Sequence, residues 1–335
     1  MEQELELITK KKMSLTTVAG ICFSVTAILF VAVQILGVFG LIPEVFFTNI
    51  VLNLTVAQIG FILLPTLVIL FVARHNIKDA LRLNKPKISE ILISASFPIV
   101  LFPAMLGLAT IALLIVGLLF GSTNLDGLEP LTSTSLWLLI LIGALLPGIC
   151  EEVLFRGAVL SGLQKNGIVF GIIASAILFG LFHMDPQRFV AQALMGAVAA
   201  IVVYRTNSIF TGMTVHFTNN AFSFLISDLL RSSGAADEQS QSTDIMETIR
   251  EQSELFQIDF TLLCIMMIVI MLMVTLFFAA LTIPLFYALF RITKKKVQQL
   301  PLEREPFKLS RYWPMVPGLL IIIGFYCLVA VSLAS

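Results

Sequence analysis

Apolar residues are gathered along the chain into repeated runs of roughly 20 residues, and short polar or charged segments separate these runs. A helix needs about 20 apolar residues to cross the hydrocarbon core of a bilayer, and a lipid-exposed backbone must satisfy its own hydrogen bonds. The runs are too long and too continuously apolar for the strands of a membrane barrel. The pattern therefore predicts an all-α, polytopic transmembrane helical bundle of about eight or nine spans. The predicted spans are residues 15–42, 50–73, 91–120, 135–164, 167–184, 188–204, 208–229, 259–290 and 315–334.

Composition supports the same environment. Hydrophobic residues make up 58% of the 335 residues and charged residues 13%, whereas about 25% of the residues of a soluble domain are charged. The formal net charge is zero and no segment combines clustered basic and aromatic residues, which excludes a nucleic-acid partner. The composition instead predicts an integral membrane protein, with the lipid bilayer as one of its partners.

The positions of Lys and Arg predict the orientation. If the N-terminus lies inside and the spans alternate, all 21 Lys and Arg residues except Arg188, Arg231 and Arg250 fall on the inner side. Because basic residues concentrate in cytoplasmic loops, the N-terminus is expected in the cytoplasm.

The chain divides into three predicted parts. Residues 1–130 hold N-terminal transmembrane helices and a surface segment, residues 131–230 form the core with the candidate chemistry, and residues 231–335 hold an acidic loop and the C-terminal transmembrane helices. The surface segment, residues 76–90, is predicted either as an amphipathic stretch on the inner membrane surface or as a basic connector. The acidic loop is predicted to be solvated, and either partly disordered or with one short helix.

Ionisable residues occur inside three of the predicted spans, where each costs about 2.5 to 3.5 kcal/mol on insertion. The chain has three histidines, and two of them are among these residues. The residues are Glu151, Glu152 and Arg156 in PGICEEVLFRGAVL, His183 in LFGLFHMD, and His216, with the polar Asn220, in TVHFTNNAF. Such a concentration favours an active site over two alternatives, an ion or proton pathway and a purely structural polar network.

Helical spacing separates the roles of the two glutamates. Glu152 and Arg156 are four residues apart, so they share a helix face and can form an ion pair that offsets the burial of each charge. Glu151 is rotated by about 100° and lacks that partner. Because a poorly solvated carboxylate can act as a general base near neutral pH, Glu151 is the candidate base.

The histidines suggest further roles. His216 and Asn220 are also four residues apart, so the imidazole and the amide project from one helix face and could together hold a developing oxyanion. His183 ends an apolar run just before Asp185 and Pro186, where a helix is expected to stop. Spacing alone does not assign a role to His183.

Three motifs together resemble those of the CAAX protease and bacteriocin-processing family, intramembrane proteases related to the type II CAAX prenyl endopeptidase. The motifs are EEVLFR, FGLFH with Phe179 and His183, and HFTNN, in the family's order on successive helices, and the resemblance covers residues 135–230. It implies an intramembrane endopeptidase that acts on a membrane-associated peptide or C-terminal tail. Its expected location is the plasma membrane of a bacterium.

The resemblance also implies roles for individual residues. Glu151 and His183 would activate the catalytic water, and His216 and Asn220 would support the oxyanion. Glu152, Arg156 and Phe179 match positions that support the site. No cofactor is expected, because the HExxH spacing of a zinc protease is absent, although Glu151, His183 and His216 could serve as zinc ligands in an alternative mechanism.

Two other functions stay open at this level. A non-catalytic membrane protein on the same scaffold, such as a bacteriocin-immunity factor, would share the helices, but the intact motifs favour the protease. A transporter is disfavoured because no inverted repeat or pair of broken helices is visible in the sequence.

Overall fold

The computed structural model describes residues 13–120, 134–233, 245–300 and 305–334. Lys10 to Lys12, and Asp237, Glu238 and Asp244 of the predicted acidic loop, lie outside the described residues. The described part of the chain is a bundle of helices without strands, which confirms the predicted all-α transmembrane fold.

Thirteen helices form the described part. The N-terminal helices are α1 (Leu15–Val38), α2 (Glu44–Thr48), α3 (Ile50–Val72), α4 (Ile77–Ala80) and α5 (Ile88–Phe120). The central helices are α6 (Leu136–Asn166), α7 (Ile168–Phe182), α8 (Phe189–Thr206) and α9 (Ile209–Ser232). The C-terminal helices are α10 (Ile245–Phe256), α11 (Phe260–Ala280), α12 (Ile283–Gln298) and α13 (Val316–Ala334).

Within the described ranges, seven helical stretches are long and apolar enough to cross a membrane. They are α1, α3, α5, α6, α8, the joined α11 and α12, and α13 with the turns before it. The two other predicted spans are α7, which has only 15 residues, and α9, which is 24 residues long but carries several polar side chains. Both pack against several of the seven. Seven apolar stretches of this length make the chain an integral membrane protein.

Helix α6 lies at the centre of the bundle. In the most apolar 18 residues of α6, 61% of the residues are buried inside the protein. In the corresponding part of the stretch formed by α11 and α12 only 11% are buried, so that stretch faces outward. Helices α1, α3, α7 and α9 all contact α6. Gly167, at φ 130°, allows the chain to reverse directly from α6 into α7.

Helices α3 and α6 contain wider π-helical segments, at Val56–Leu63 in α3 and at Ile140–Leu145 and Val153–Val159 in α6. The apolar pattern of the sequence predicts regular helices at all three places. Single π turns inside α-helices occur frequently at functional sites, because they change which side chains face the neighbouring helix.

Residues 80–82, at the end of α4 and directly after it, connect the end of α6 to the start of α9. Ser161 Oγ donates a hydrogen bond to the carbonyl oxygen of Ala80 at 2.9 Å, and the Ile209 N–H donates to that of Arg82 at 3.1 Å. Arg82 also donates to Gln164. Burial lowers the pKa of Arg82 to about 10, so the side chain remains charged at neutral pH. Ala80, Leu81 and Arg82 are therefore buried against the bundle, while Lys78, Lys85 and Lys87 remain exposed. The two predicted arrangements of the surface segment remain predictions.

Candidate active site

The residues singled out in the sequence come from three neighbouring helices. Glu151, Glu152 and Arg156 lie in the middle of α6, His183 caps the C-terminus of α7, and His216 and Asn220 lie on α9. Glu151, Glu152, Arg156 and His216 lie together in the interior of the bundle. Phe179 links His183 to this group, whereas Asn220 makes its contacts elsewhere on α6.

Glu152 and Arg156 form the predicted ion pair. Arg156 Nη1 lies 2.8 Å from Glu152 Oε1, and the side chains are 1% and 0% exposed, respectively. Arg156 Nη2 also donates to the carbonyl oxygen of Gly196 on α8 at 3.0 Å. A buried ion pair with a further hydrogen bond has a fixed geometry, so these two side chains are held in place beside the other residues of the site.

His216 bridges the two glutamates. Its Nδ1 lies 3.1 Å from Glu152 Oε1, and because that carboxylate is paired with Arg156 and only accepts, Nδ1 is the donor. The other ring nitrogen, Nε2, lies 3.9 Å from Glu151 Oε2, which is longer than a hydrogen bond. The bond to Glu152 therefore fixes the imidazole so that Nε2 faces Glu151.

Glu151 has two differently placed oxygens. Oε1 accepts a hydrogen bond from Gln58 Nε2 of α3 at 2.8 Å. Oε2 is buried and has no hydrogen-bond partner among the described residues. One oxygen of the candidate base is thus held in place, while the other faces His216 and is available for a reacting group.

The ring of Phe179 on α7 contacts three side chains of the site. The Phe179 centroid lies 4.8 Å from the His183 ring, 5.6 Å from the His216 ring and 4.5 Å from the guanidinium carbon of Arg156. Since aromatic faces attract cations and pack edge to face with other rings, Phe179 holds all three side chains at set distances.

His183 is oriented by the backbone of its own helix. Its Nδ1 donates to the carbonyl oxygen of Phe179 at 2.9 Å, since a carbonyl only accepts. In the neutral ring Nε2 is then the acceptor.

Asn220 shares the α9 face with His216 but makes separate contacts. Its Nδ2 donates to the carbonyl oxygen of Gly143 at 3.1 Å, and its Oδ1 accepts from Asn219 Nδ2 at 3.0 Å. Gly143 lies in the first π-helical segment of α6. These bonds fix the amide in the site, and one N–H of Nδ2 remains beyond the bond to Gly143.

Gln58 is the site residue that sequence reasoning missed. It is 6% exposed and lies in an apolar stretch of α3, outside the predicted core of residues 131–230. A search for ionisable residues passes over a neutral amide. The available signal was a Gln within the otherwise apolar VAQIGF, which needs a partner at membrane depth.

The described residues contain no group of three or more His, Cys, Asp or Glu side chains arranged to hold a metal ion. Glu151, His183 and His216, the alternative zinc ligands, therefore do not form a ready ligand set in this arrangement. The absence of a cofactor remains a prediction.

The fold and the site define a polytopic helical membrane protein with a buried Glu, Arg and His cluster at its centre. Residues 133–222, here called the matched segment, fit the model of a family described as "Type II CAAX prenyl endopeptidase Rce1-like". The matched segment contains all three motifs, so the resemblance that they indicate is confirmed there.

A curated protein is similar to this chain over a stretch of comparable length. It is the "Putative membrane peptidase YdiL" of Bacillus subtilis (strain 168), 28% identical over 86 residues. The alignment covers 25% of this chain and 35% of the length of YdiL. No solved structure matches the chain.

Proposed function

We propose that this protein is an intramembrane endopeptidase that hydrolyses a peptide bond in a membrane-associated substrate or in a substrate's C-terminal tail. One observation carries the proposal: Glu151 has one oxygen fixed by Gln58, while its buried Oε2 faces His216 Nε2 at 3.9 Å. A carboxylate that is held in place and has one available oxygen is suited to act as a general base. The family model and the description of YdiL support the same activity.

Glu151 and His183 activate the water in this mechanism. Glu151 Oε2 takes one proton from the water as the water oxygen bonds to the carbonyl carbon of the substrate, and the carbonyl π electrons move to its oxygen. His183 Nε2, an acceptor because Nδ1 is bonded to Phe179, accepts the second water O–H and orients the nucleophile.

His216 and Asn220 stabilise the oxyanion. His216 donates through Nδ1 to Glu152, so it donates to the oxyanion through an Nε2–H of the doubly protonated ring. Asn220 supplies the N–H of Nδ2 that is not bonded to Gly143. When the tetrahedral intermediate collapses, the C–N bond breaks and Glu151 passes its proton to the leaving nitrogen, so a carboxylic acid and an amine are formed without another reagent.

The supporting residues act through these four. Glu152, paired with Arg156, accepts the hydrogen bond of His216, and Phe179 packs edge to face against both histidines. The mechanism requires no metal ion. The partners are a peptide or protein substrate and the bilayer, and the proposed location is a bacterial plasma membrane with the N-terminus in the cytoplasm.

A comparison of membrane-protein termini in cells with and without the gene would identify candidate substrates. Purified protein is then assayed on a peptide that copies the cleaved segment, with Glu151→Gln as the test variant and Glu247→Gln, at an exposed position of α10, as the control. We expect Glu151→Gln to lower the rate by about 10² to 10⁴, which is the usual contribution of a general base.

Two results would overturn the proposal. One is full cleavage by Glu151→Gln. The other is a loss of activity that always follows a loss of folded protein, in which case the non-catalytic scaffold becomes the better assignment.

A further inference from the structure

Gln58 reaches the site from a helix that lies outside the matched segment. Its Nε2 and Glu151 Oε1 are 2.8 Å apart although the residues are 93 positions apart in the chain. Since a carboxylate only accepts hydrogen bonds, the amide is oriented with its N–H toward Glu151. The other carboxylate oxygen, Glu151 Oε2, has no hydrogen-bond partner among the described residues.

Glu151 needs such a donor because the charged partner nearby is already engaged. Arg156 is paired with Glu152 at 2.8 Å, and the Nε2 of His216 is 3.9 Å from Glu151. An ionised carboxylate in a buried site requires hydrogen-bond donors to remain charged. Gln58 is the donor that the structure provides.

The hydrogen bond also selects one oxygen of Glu151. With Oε1 held by Gln58, the carboxylate cannot rotate freely, and Oε2 is kept toward His216. A general base must be held within a fraction of an ångström of its productive position for proton transfer.

The surroundings of Gln58 fit this role. The residue lies in the π-helical segment Val56–Leu63, which packs against the part of α6 that carries Glu151. Its own Oε1 is buried and has no hydrogen-bond partner in the described part of the chain. An amide placed only to join two helices would be expected to use both of its polar atoms, whereas here the donor is directed at the carboxylate and the acceptor is unpaired.

We propose that Gln58 is a positioning residue of the hydrolytic site, which holds Glu151 Oε1 and so presents Glu151 Oε2 to the catalytic water. This inference rests on the proposed function of Glu151. It adds to the site a residue from the N-terminal part of the chain, and it implies that residues 131–230 alone do not form the complete site.

The test compares Gln58→Met with Thr66→Val in full-length protein in lipid nanodiscs. Met has a similar length to Gln but no N–H donor. Thr66 is a fully buried polar residue on the same helix, and its hydroxyl has no hydrogen-bond partner among the described residues, which makes it a matched control.

The first measurement does not depend on activity. At neutral pH the infrared carboxylate band of Glu151 is assigned by its loss in Glu151→Gln. We expect this band to shift in Gln58→Met and to remain in place in Thr66→Val. An unchanged band in Gln58→Met would overturn the proposal.

The second measurement is the cleavage of the peptide identified by the comparison of termini. We expect Gln58→Met to lower kcat by about 10- to 100-fold through misplacement of the base, with KM within about twofold of the parent value. Gln58→Asn retains the amide but shortens the side chain, so it should show the same loss of kcat. This second variant replaces Gln58→Met if the latter does not fold.

The combined outcomes separate the two proposals. If Glu151→Gln is inactive and both Gln58 variants keep the parent kcat, the protease mechanism stands and the role of Gln58 is wrong. If the Gln58 variants raise KM and leave kcat unchanged, Gln58 binds substrate and does not position Glu151. If Glu151→Gln is fully active, the proposed function fails, and the positioning role fails with it.

Discussion

The carboxylate of Glu152 and the imidazole of His216, 64 positions apart in the chain, form a buried hydrogen bond of 3.1 Å. This bond joins α6 to α9 at the level of the site and makes Nδ1 the donating nitrogen of the ring. Because Glu152 is also paired with Arg156, one carboxylate fixes both a cation on its own helix and an imidazole on the neighbouring helix. The two glutamates are adjacent in sequence, yet Glu152 Oε1 is paired with a guanidinium and an imidazole, whereas Glu151 Oε1 accepts only from the neutral amide of Gln58. In both carboxylates Oε2 has no hydrogen-bond partner among the described residues.

Glu152→Gln should destabilise the protein. The change leaves Arg156 without its charge partner at a 1% exposed position, and breaking a buried pair costs about 3 to 5 kcal/mol. The thermal melting temperature in detergent or nanodiscs measures this loss. The control is Asp228→Asn, which removes the exposed pair with Arg231 and should change stability by about 0 to 1 kcal/mol. Equal melting temperatures for both variants would show that the buried pair is not required for folding.

Phe179→Leu should lower activity more than its effect on folding explains. Leucine keeps an apolar side chain but removes the aromatic face against Arg156, a contact worth about 0.5 to 2 kcal/mol, and the ring contacts with both histidines. Phe97→Leu is the matched control, because Phe97 is fully buried in a different apolar cluster. We expect similar melting temperatures for the two variants and a lower cleavage rate only for Phe179→Leu. A similar fall in both rates would assign Phe179 to packing alone.

Gly212→Ala should disturb the site through a single added methyl group. A Cβ at Gly212 would lie 2.5 Å from Glu152 Oε2 and 2.6 Å from a methyl group of Val203, so the buried Glu152 and Val203 side chains, or α9 itself, would have to shift. Gly324→Ala, on α13, meets no atom within 4 Å and should be neutral or raise stability by about 0.5 to 1 kcal/mol, since Ala favours helix. Cleavage rate and melting temperature should fall for Gly212→Ala alone. If Gly212→Ala behaves like Gly324→Ala, the close approach of α9 to Glu152 is not needed.

Removal of metal ions should leave the activity unchanged. Protein purified with a strong chelator is expected to contain no stoichiometric zinc and to cleave the substrate at the untreated rate, since the proposed mechanism uses Glu151 as the base without a metal ion. Elemental analysis and the cleavage assay check the two statements. A loss of activity that added zinc restores would instead assign Glu151, His183 and His216 as ligands.

The sequence predicts the supporting pair well because its geometry is local. Glu152 and Arg156 lie on one helix, so their spacing of four already places them side by side, and the structure brings them to 2.8 Å. The pairing persists although a π-helical segment begins directly after Glu152. The predicted spans are likewise a local property, because each apolar run reports only on its own length and hydrophobicity.

The relation between His216 and Asn220 shows where local spacing is insufficient. The sequence places both on one face of α9, and the structure keeps them there, but His216 bonds to Glu152 and Asn220 to the Gly143 carbonyl. Which groups face that side of α9 depends on the rotation of α6 and on its π-helical segments. Neither is encoded in the spacing of the residues on α9.

The sequence by itself therefore determined the class of the protein, an all-α membrane bundle, and the ionisable residues at the centre of its interior, although not the buried Arg82 and Glu90. The cost of placing charge and unpaired backbone groups in lipid is large enough that the chain alone reveals both. Only the tertiary structure decided that Gln58 of α3 holds Glu151, that Phe179 contacts both histidines, and that the segment around Arg82 ties α6 to α9. These contacts join residues far apart in the chain, and they depend on how whole helices pack and rotate against each other. No short sequence pattern encodes that packing.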